Sequence, residues 1–310
     1  MASEIWAIGG GKGGTGKSFV TSNLGMNLAS WGKNITLIDA DLGGANLHTF
    51  LKIKKPRYSL TDFFEKKVPL SDIIQATEIP NLRFITGDIR SLDSTGVRYS
   101  QKLKLYRHIK NLSGEYVLID LGAGSGHNTI DTFLIADKKI VVTLPEITAI
   151  ENLYMFIKKV LFRNLNQLLG DHGLKDVARK AWQHRRTKDI KNIKELIQHI
   201  KDISPEIKAL VEEALSRFKL YIIMNEVKNN QQIEMGFSTK SVLHKYFEID
   251  ARYVGYIQYT EFFWKFVKES STFRQITSPA STSAEMRRIL QYLVEDKQLK
   301  LTDIPDNEQQ

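Results

Sequence analysis

The chain has 310 residues, of which 42% are hydrophobic and 25% charged, with 20 Gly and 7 Pro; this is the composition of a folded globular protein and excludes a disordered or collagen-like one. Its length accommodates two average domains or a single open α/β sheet. The complete lack of Cys excludes disulfides, thiolate zinc sites, Cys-ligated iron–sulfur clusters and Cys nucleophiles and fits the cytosol, while the formal charge of +9 suits polyanionic partners and a plainly solvated surface equally well.

Residues 1–150 alternate short β-branched runs with amphipathic stretches, the pattern of βαβ units on a parallel sheet. Strands are expected over Ile5–Ile8, Ile35–Asp39, Leu82–Thr86, Tyr116–Asp120 and Lys139–Leu144. After the first strand, Val20, Leu24, Leu28 and Trp31 recur at helical spacing, with Gly32 placed as a left-handed cap. A second helix is expected from Thr148, with Glu151 closing a capping box and Leu153, Phe156, Ile157 and Val160 forming its apolar face. From about Asn164 to Arg217 the texture changes to charged helices, one of them opened by Ser204 as N-cap and Pro205 at the first helical position. Between Glu151 and Lys219 there are 15 Lys and Arg against 9 Asp and Glu, so most of the chain's basic excess is local. Strand texture returns at Lys219–Asn225 and Arg252–Ile257, which makes the helical stretch an insertion between strands of one sheet. The apolar runs are far shorter than the roughly 20 residues that span a bilayer, and Met1-Ala2-Ser3-Glu4 lacks the basic start of a signal peptide. The acid-rich stretch from Glu295 to Gln310 is expected to fray.

The most specific local pattern follows the first strand directly. Gly11-Lys12-Gly13-Gly14-Thr15-Gly16-Lys17-Ser18 matches G-x-x-x-x-G-K-[ST]. Such glycines let successive backbone N–H groups converge on phosphate oxygens, and the next helix adds its positive N-terminal end. Lys17 is placed to neutralise the β- and γ-phosphates, and the Ser18 hydroxyl to ligate Mg²⁺. The chain therefore reads as an ATP and Mg²⁺ binder.

Lys12, at the loop's second position, is not required by the general phosphate-loop pattern. With it, Lys12 to Ser18 resembles the deviant Walker A motif of the MinD/ParA ATPases. Leu37-Ile38-Asp39-Ala40-Asp41-Leu42-Gly43-Gly44-Ala45-Asn46-Leu47 resembles that family's switch I, and Val117-Leu118-Ile119-Asp120-Leu121-Gly122-Ala123-Gly124 its Walker B and switch II. The Gly-Ala-Asn-Leu wording leans towards the FlhG/FleN subgroup. The resemblance implies an α/β P-loop NTPase with a mostly parallel central sheet flanked by helices. One domain is expected over 1–290, interrupted by the helical insertion 164–217 and followed by a polar tail over 295–310. It implies an ATPase, slow on its own, that dimerises with ATP and acts through an activating or recruited protein partner.

Residue by residue, the resemblance assigns nucleotide binding to Gly11, Gly13, Gly14, Thr15, Gly16, Lys17, Ser18, Phe19 and Gly122, and the adenine edge to Asn225. It assigns the metal to Ser18, Asp39 and Asp120, the attacking water to Asp41, and a reach into the partner subunit's site to Lys12. Phosphoryl transfer needs chiefly positioning and charge neutralisation, which suits a lysine. Departures from the family are also visible. The end of the chain is not a basic amphipathic membrane helix, and Gly255-Tyr256-Ile257-Gln258-Tyr259-Thr260 stands where a proline–acid pair is usual. His48, His108, His127, His172, His184, His199 and His244 lack ligand spacing, and Phe262-Phe263-Trp264-Lys265-Phe266 reads as helix packing. Arg185-Arg186-Thr187-Lys188 beside Trp182 and His184 forms a basic face for DNA or an acidic partner, or simply a solvated one. The alternatives to the switch reading are a ParA-like DNA partition ATPase and an ATP-dependent ligase of the cobyrinate or dethiobiotin synthase type.

Overall fold

Unbroken apolar runs such as Trp6-Ala7-Ile8 and Val117-Leu118-Ile119 are buried on both faces, as strands covered by helices on either side must be. A computed structural model describes residues 3–41, 47–51, 53, 57–87, 99–174, 177–185, 187, 190–260 and 280–304. Its strands are β1 Glu4–Gly9, β2 Ile35–Asp39, β3 Gln75–Ala76, β4 Leu82–Ile85, β5 Tyr116–Asp120, β6 Lys138–Thr143, β7 Lys219–Val227 and β8 Asp250–Gln258. Among the described residues they form one sheet in the order β3-β4-β2-β5-β1-β6-β7-β8, parallel throughout except for the β3–β4 pair.

Side chains alternate between the faces along each strand. Trp6 and Ile8 join one apolar layer with Leu24 and Leu28 of helix α1 (Lys17–Ser30), and Ile5 and Ala7 join the other. Between β2 and β5 come short helices α2 (Leu47–Phe50), α3 (Leu60–Glu65) and α4 (Leu70–Ile73), then α5 (Tyr99–Lys110). Helices α6 (His127–Leu134), α7 (Ile147–Asp171), α8 (Val177–Gln183), α9 (Ile193–Lys201), α10 (Pro205–Arg217) and α11 (Asn230–Phe247) supply the second layer, and the C-terminal helix α12 (Ala280–Val294) returns to the α1 side through Met286, Ile289 and Leu290. The Ser204 hydroxyl accepts from Ile207 N at 3.3 Å and Pro205 opens α10, as their order in sequence predicts. None of the helices among the described residues is long and apolar enough to cross a membrane.

The observed packing differs from expectation in three places. Trp31 caps α1 and is 43% exposed rather than packed on the sheet, because α1 ends at Ser30 and its apolar face stops one residue short of Trp31. Helix α7 starts at Ile147 with Glu146 as N-cap, so Thr148 lies inside it and no capping box forms; its 25 residues run past Asn164, and the charged texture begins within one continuous helix. Finally, residues 295–304 do not fray. Leu299 is buried and donates its N–H to Tyr253 O at 2.7 Å, while the Asp296 carboxylate meets Lys219 at 2.6 Å and Arg252 at 2.7 Å. Asp296, one of the acids that suggested a solvated tail, instead faces cations near the start of β7 and β8. The aromatic stretch Phe262 to Phe266 and the block Leu42 to Asn46 lie outside the described residues.

Asp296 gives a test of this anchor. Burial acts to raise its pKa, but the hydrogen bonds from Lys219 and Tyr221 and the charge of Arg252 outweigh it and hold the group well below the usual carboxylate range. A depressed folded pKa stabilises fully above the unfolded value of about 4 and is lost as the pH falls through the folded one. Asp296→Asn is therefore expected to cost about 1 kcal/mol at neutral pH, a figure kept small because the site is partly exposed, with the gap to wild type closing in acid. Thermal melts of both proteins between neutral pH and strong acid measure the gap, and a constant gap would contradict the anchor.

Candidate phosphate-loop site

The loop between β1 and α1 lies at the carboxyl end of the central strand, where open parallel sheets place their ligand crevices. Gly13 and Gly14 form its exposed crest and Thr15 is fully buried below them. Gly16 caps α1 with φ of +86°, a left-handed conformation that side chains resist, and a Cβ there would meet Asn225 Nδ2 at 2.2 Å. Asn225, near the end of β7, donates that amide to Thr15 O at 3.1 Å. It thus buttresses the loop while its carbonyl oxygen and second N–H remain for other partners. Phe19 stands half-exposed in the first turn of α1, its ring 6.5 Å from that of Phe50.

Lys17 is buried and turns back over the loop, its ammonium donating to Lys12 O at 3.0 Å. Burial pushes its pKa down, against the pull of Asp120 and Asp41. One residue on, the Ser18 hydroxyl bonds the Asp120 carboxylate, which also accepts from Thr21 Oγ1 at 3.2 Å. Thr21, three residues after Ser18 and on the same helical face, escaped the sequence reading; that spacing is the signal that could have found it.

Asp39 and Asp120 end neighbouring parallel strands in direct register. Both are buried, so their charges sit side by side in a poor medium for charge. Burial and then the Asp120 charge push Asp39 up to about 7, although it accepts N–H groups from Asp41 at 3.1 Å and Leu47 at 3.0 Å. Burial likewise raises Asp120 to about 6, opposed by Ser18, Lys17 and Thr21. The pair lacks enough positive charge, since the Lys17 ammonium is one cation for two buried carboxylates. A cation between them would supply it, and the buried Thr15 hydroxyl, without a hydrogen-bond partner, is a second polar atom that the protein alone does not satisfy. This donor set, hydroxyl and carboxylate oxygens, is the kind Mg²⁺ takes.

Asp41 faces Gly122 closely: a Cβ on Gly122 would come within 2.8 Å of the Asp41 carboxyl carbon. Just beyond, Gly124 N donates to Gly11 O at 2.8 Å, so the segment after β5 is tied directly to the loop. Lys12 is held in its own chain, donating to Glu146 Oε2 at 2.9 Å and Thr148 Oγ1 at 3.4 Å. Neither acceptor was singled out for this in the sequence. Lys17, Ser18, Asp39, Asp41 and Asp120 thus converge on one end of the sheet, and Lys12 reaches over the rim to the start of α7.

A family model described as "ParA: NUBPL iron-transfer P-loop NTPase" matches residues 2–167, more than half of the chain. The chain belongs to the ParA/MinD family of P-loop NTPases. The iron-transfer wording describes that model; this member has no Cys with which to hold a cluster. Over 151 residues it is 32% identical to the septum site-determining protein MinD of Bacillus subtilis, covering 48% of this chain and 56% of the relative. Over 173 residues it is 29% identical to the antiactivator FleN of Pseudomonas aeruginosa, covering 55% and 58%. The FlhG/FleN lean thus receives only weak support, since MinD matches at least as closely. The chain spans about half the length of the curated relatives it matches. Among solved structures, MinD of Pyrococcus horikoshii complexed with Mg-ADP superposes with a TM-score of 0.60 at 20% identity, over 94% of this chain and 96% of the other. The MinC:MinD complex of Aquifex aeolicus gives 0.61 at 21% identity, over 96% and 98%. At such identities these likenesses establish the fold of this ParA/MinD-family member.

Proposed function

We propose that this chain is a Mg-ATP-binding and ATP-hydrolysing switch that dimerises with ATP and positions or regulates cellular machinery through a protein partner. The observation that carries the reading is the convergence of Lys17, Ser18 and the cation-deficient Asp39–Asp120 pair beneath a glycine-rich loop at a helix N-terminus. Backbone N–H groups of Gly13 to Ser18 would take the phosphates, with Lys17 on the terminal ones, and Phe19 and Asn225 would line the nucleotide. Ser18 and Asp120 would hold magnesium and Asp39 would support it through water. A magnesium ion there would offset the charge that develops on the transferred phosphoryl group. Asp41, held against Gly122, would orient the attacking water, and Gly122 would follow the nucleotide state. We read 1–290 as one cytoplasmic ATPase unit carrying 164–217 as an insertion. The relatives named as an antiactivator and as a complex with MinC favour a protein partner.

Lys12 is the residue that separates a dimerising switch from a simple nucleotide binder. To enter a second subunit it must leave Glu146 and Thr148, two weak, partly exposed contacts. Light-scattering mass is expected to double with a non-hydrolysable ATP analogue and not with ADP, and Lys12→Ala is expected to abolish the doubling. A mass indifferent to nucleotide would defeat the proposal and favour the small-molecule ligase.

A further inference from the structure

The stretch that carries most of the basic surplus contains one aromatic ring in an unusual setting. Trp182, at the end of α8, packs on Phe162 of α7 with ring centroids 5.9 Å apart. Two cations lie over the same ring: Lys158 Nζ at 4.8 Å from its centroid and the Arg185 guanidinium carbon at 4.3 Å. Arg185 is further fixed by donating to Trp182 O at 2.9 Å. Among the described residues no carboxylate forms an ion pair with Lys158 or Arg185, whereas Arg163, one turn along α7, is matched by Asp131 at 2.8 Å. Among the described residues, like charges are thus held together without a paired carboxylate. The Lys158 ammonium accordingly sits below the ordinary lysine range, through burial first and the Arg185 charge second. Lys180 and His184 stand exposed on the same helix end.

We propose that the face of α7 and α8 centred on Trp182, with Lys158 and Arg185, is a docking surface for a short acidic segment of a partner protein. An arginine stacked on an indole keeps its outer N–H groups in the plane that grips a carboxylate with two bonds, and it loses little freedom on doing so. Lys158 beside it donates to a second carboxylate. Two features disfavour nucleic acid as the occupant. The ring already carries two cations and packs on Phe162, contacts that a stacking base would have to displace. The cluster is also compact, whereas affinity for a duplex is summed over many phosphates along a track. The surface lies beyond the phosphate-loop site, and its function does not depend on how that site is read.

The test uses the full chain and a fluorescein-labelled, glutamate-rich peptide of about a dozen residues, followed by anisotropy at about 50 mM salt, where the Debye length still allows surface charges to act. Wild type is expected to bind, with a change in Trp emission, and the pair Lys158→Gln with Arg185→Gln is expected to weaken binding about tenfold. Arg185→Lys keeps the charge and the fold but loses the planar fork, and is expected to weaken binding about threefold. Lys208→Gln, an exposed lysine on α10, is expected to change little. No binding by wild type overturns the proposal, as does equal weakening by Lys208→Gln. Tighter binding of a labelled DNA duplex, lost in the same pair of substitutions, also overturns it and reassigns the surface to nucleic acid.

Discussion

Replacing Lys17 by Ala is expected to lower ATP affinity by about 100-fold or more, the largest single loss available at the site. The residue is buried within the loop, and its ammonium is already bent over the loop's own backbone at 3.0 Å from Lys12 O, so little reorganisation is needed to exchange that carbonyl for phosphate oxygens. Its positive charge also acts on Asp120 and Asp41. Removing it takes away the phosphate partner and leaves the acidic cluster less compensated. Lys17→Arg is not expected to rescue binding, because a planar fork does not fit the space of a compact ammonium in a buried loop. Lys12→Ala, by contrast, is expected to keep ATP affinity within a few-fold, since Lys12 points to Glu146 and Thr148 rather than into the loop. Titration with a fluorescent ATP analogue measures both variants. Similar losses for the two lysines would show that they share a role, contrary to the geometry.

Those two lysines also show what the sequence makes legible. The backbone contact of Lys17 comes from a residue five positions away, and its strand–loop–helix context from hydrophobic runs, so fold class and loop chemistry can be read directly. Asp39 and Asp120 are legible as strand ends, and their pairing follows once β2 and β5 are neighbours. The Lys12 acceptors were not legible, because they come from a helix start 134 residues on, and Thr148 there reads locally as an N-cap. Tertiary demand overrode that local preference: Glu146 takes the cap position and Thr148 turns its hydroxyl to Lys12. The same holds for Asp296, whose cations arrive from strands elsewhere in the sheet, and for Asn225, which the resemblance assigns to adenine and which the fold sets against Thr15 O. β3, only two residues long at the sheet edge, has no periodicity to read. Local rules thus fail where distant parts of the chain meet.

The other large effect is a trade of function against stability at Asp120. Asp120→Asn is expected to cut Mg-dependent ATP hydrolysis by about 100-fold or more while making the nucleotide-free protein more stable by about 1–2 kcal/mol near neutral pH. The first half follows from the carboxylate being the acceptor of Ser18 and Thr21 at the place where a cation would bind. The second half follows from burial beside Asp39, which an uncharged amide of similar shape relieves. The sign can be worked out. Asp39 and Asp120 are raised to about 7 and about 6, so the folded protein holds protons that the unfolded chain releases near pH 4. Between those values the folded state binds more protons, and wild-type stability falls as the pH rises. In the Asn variant the Asp39 pKa drops for want of a charged neighbour, and that slope flattens. The stability gap between variant and wild type should therefore be small near pH 5 and widest above pH 7 in magnesium-free buffer, as read from denaturant midpoints. Saturating magnesium and ATP should reverse the order, because only wild type gains from the bound cation. A variant less stable than wild type at every pH would mean that the Ser18 and Thr21 hydrogen bonds outweigh the buried charge, and that the site is already balanced without a metal.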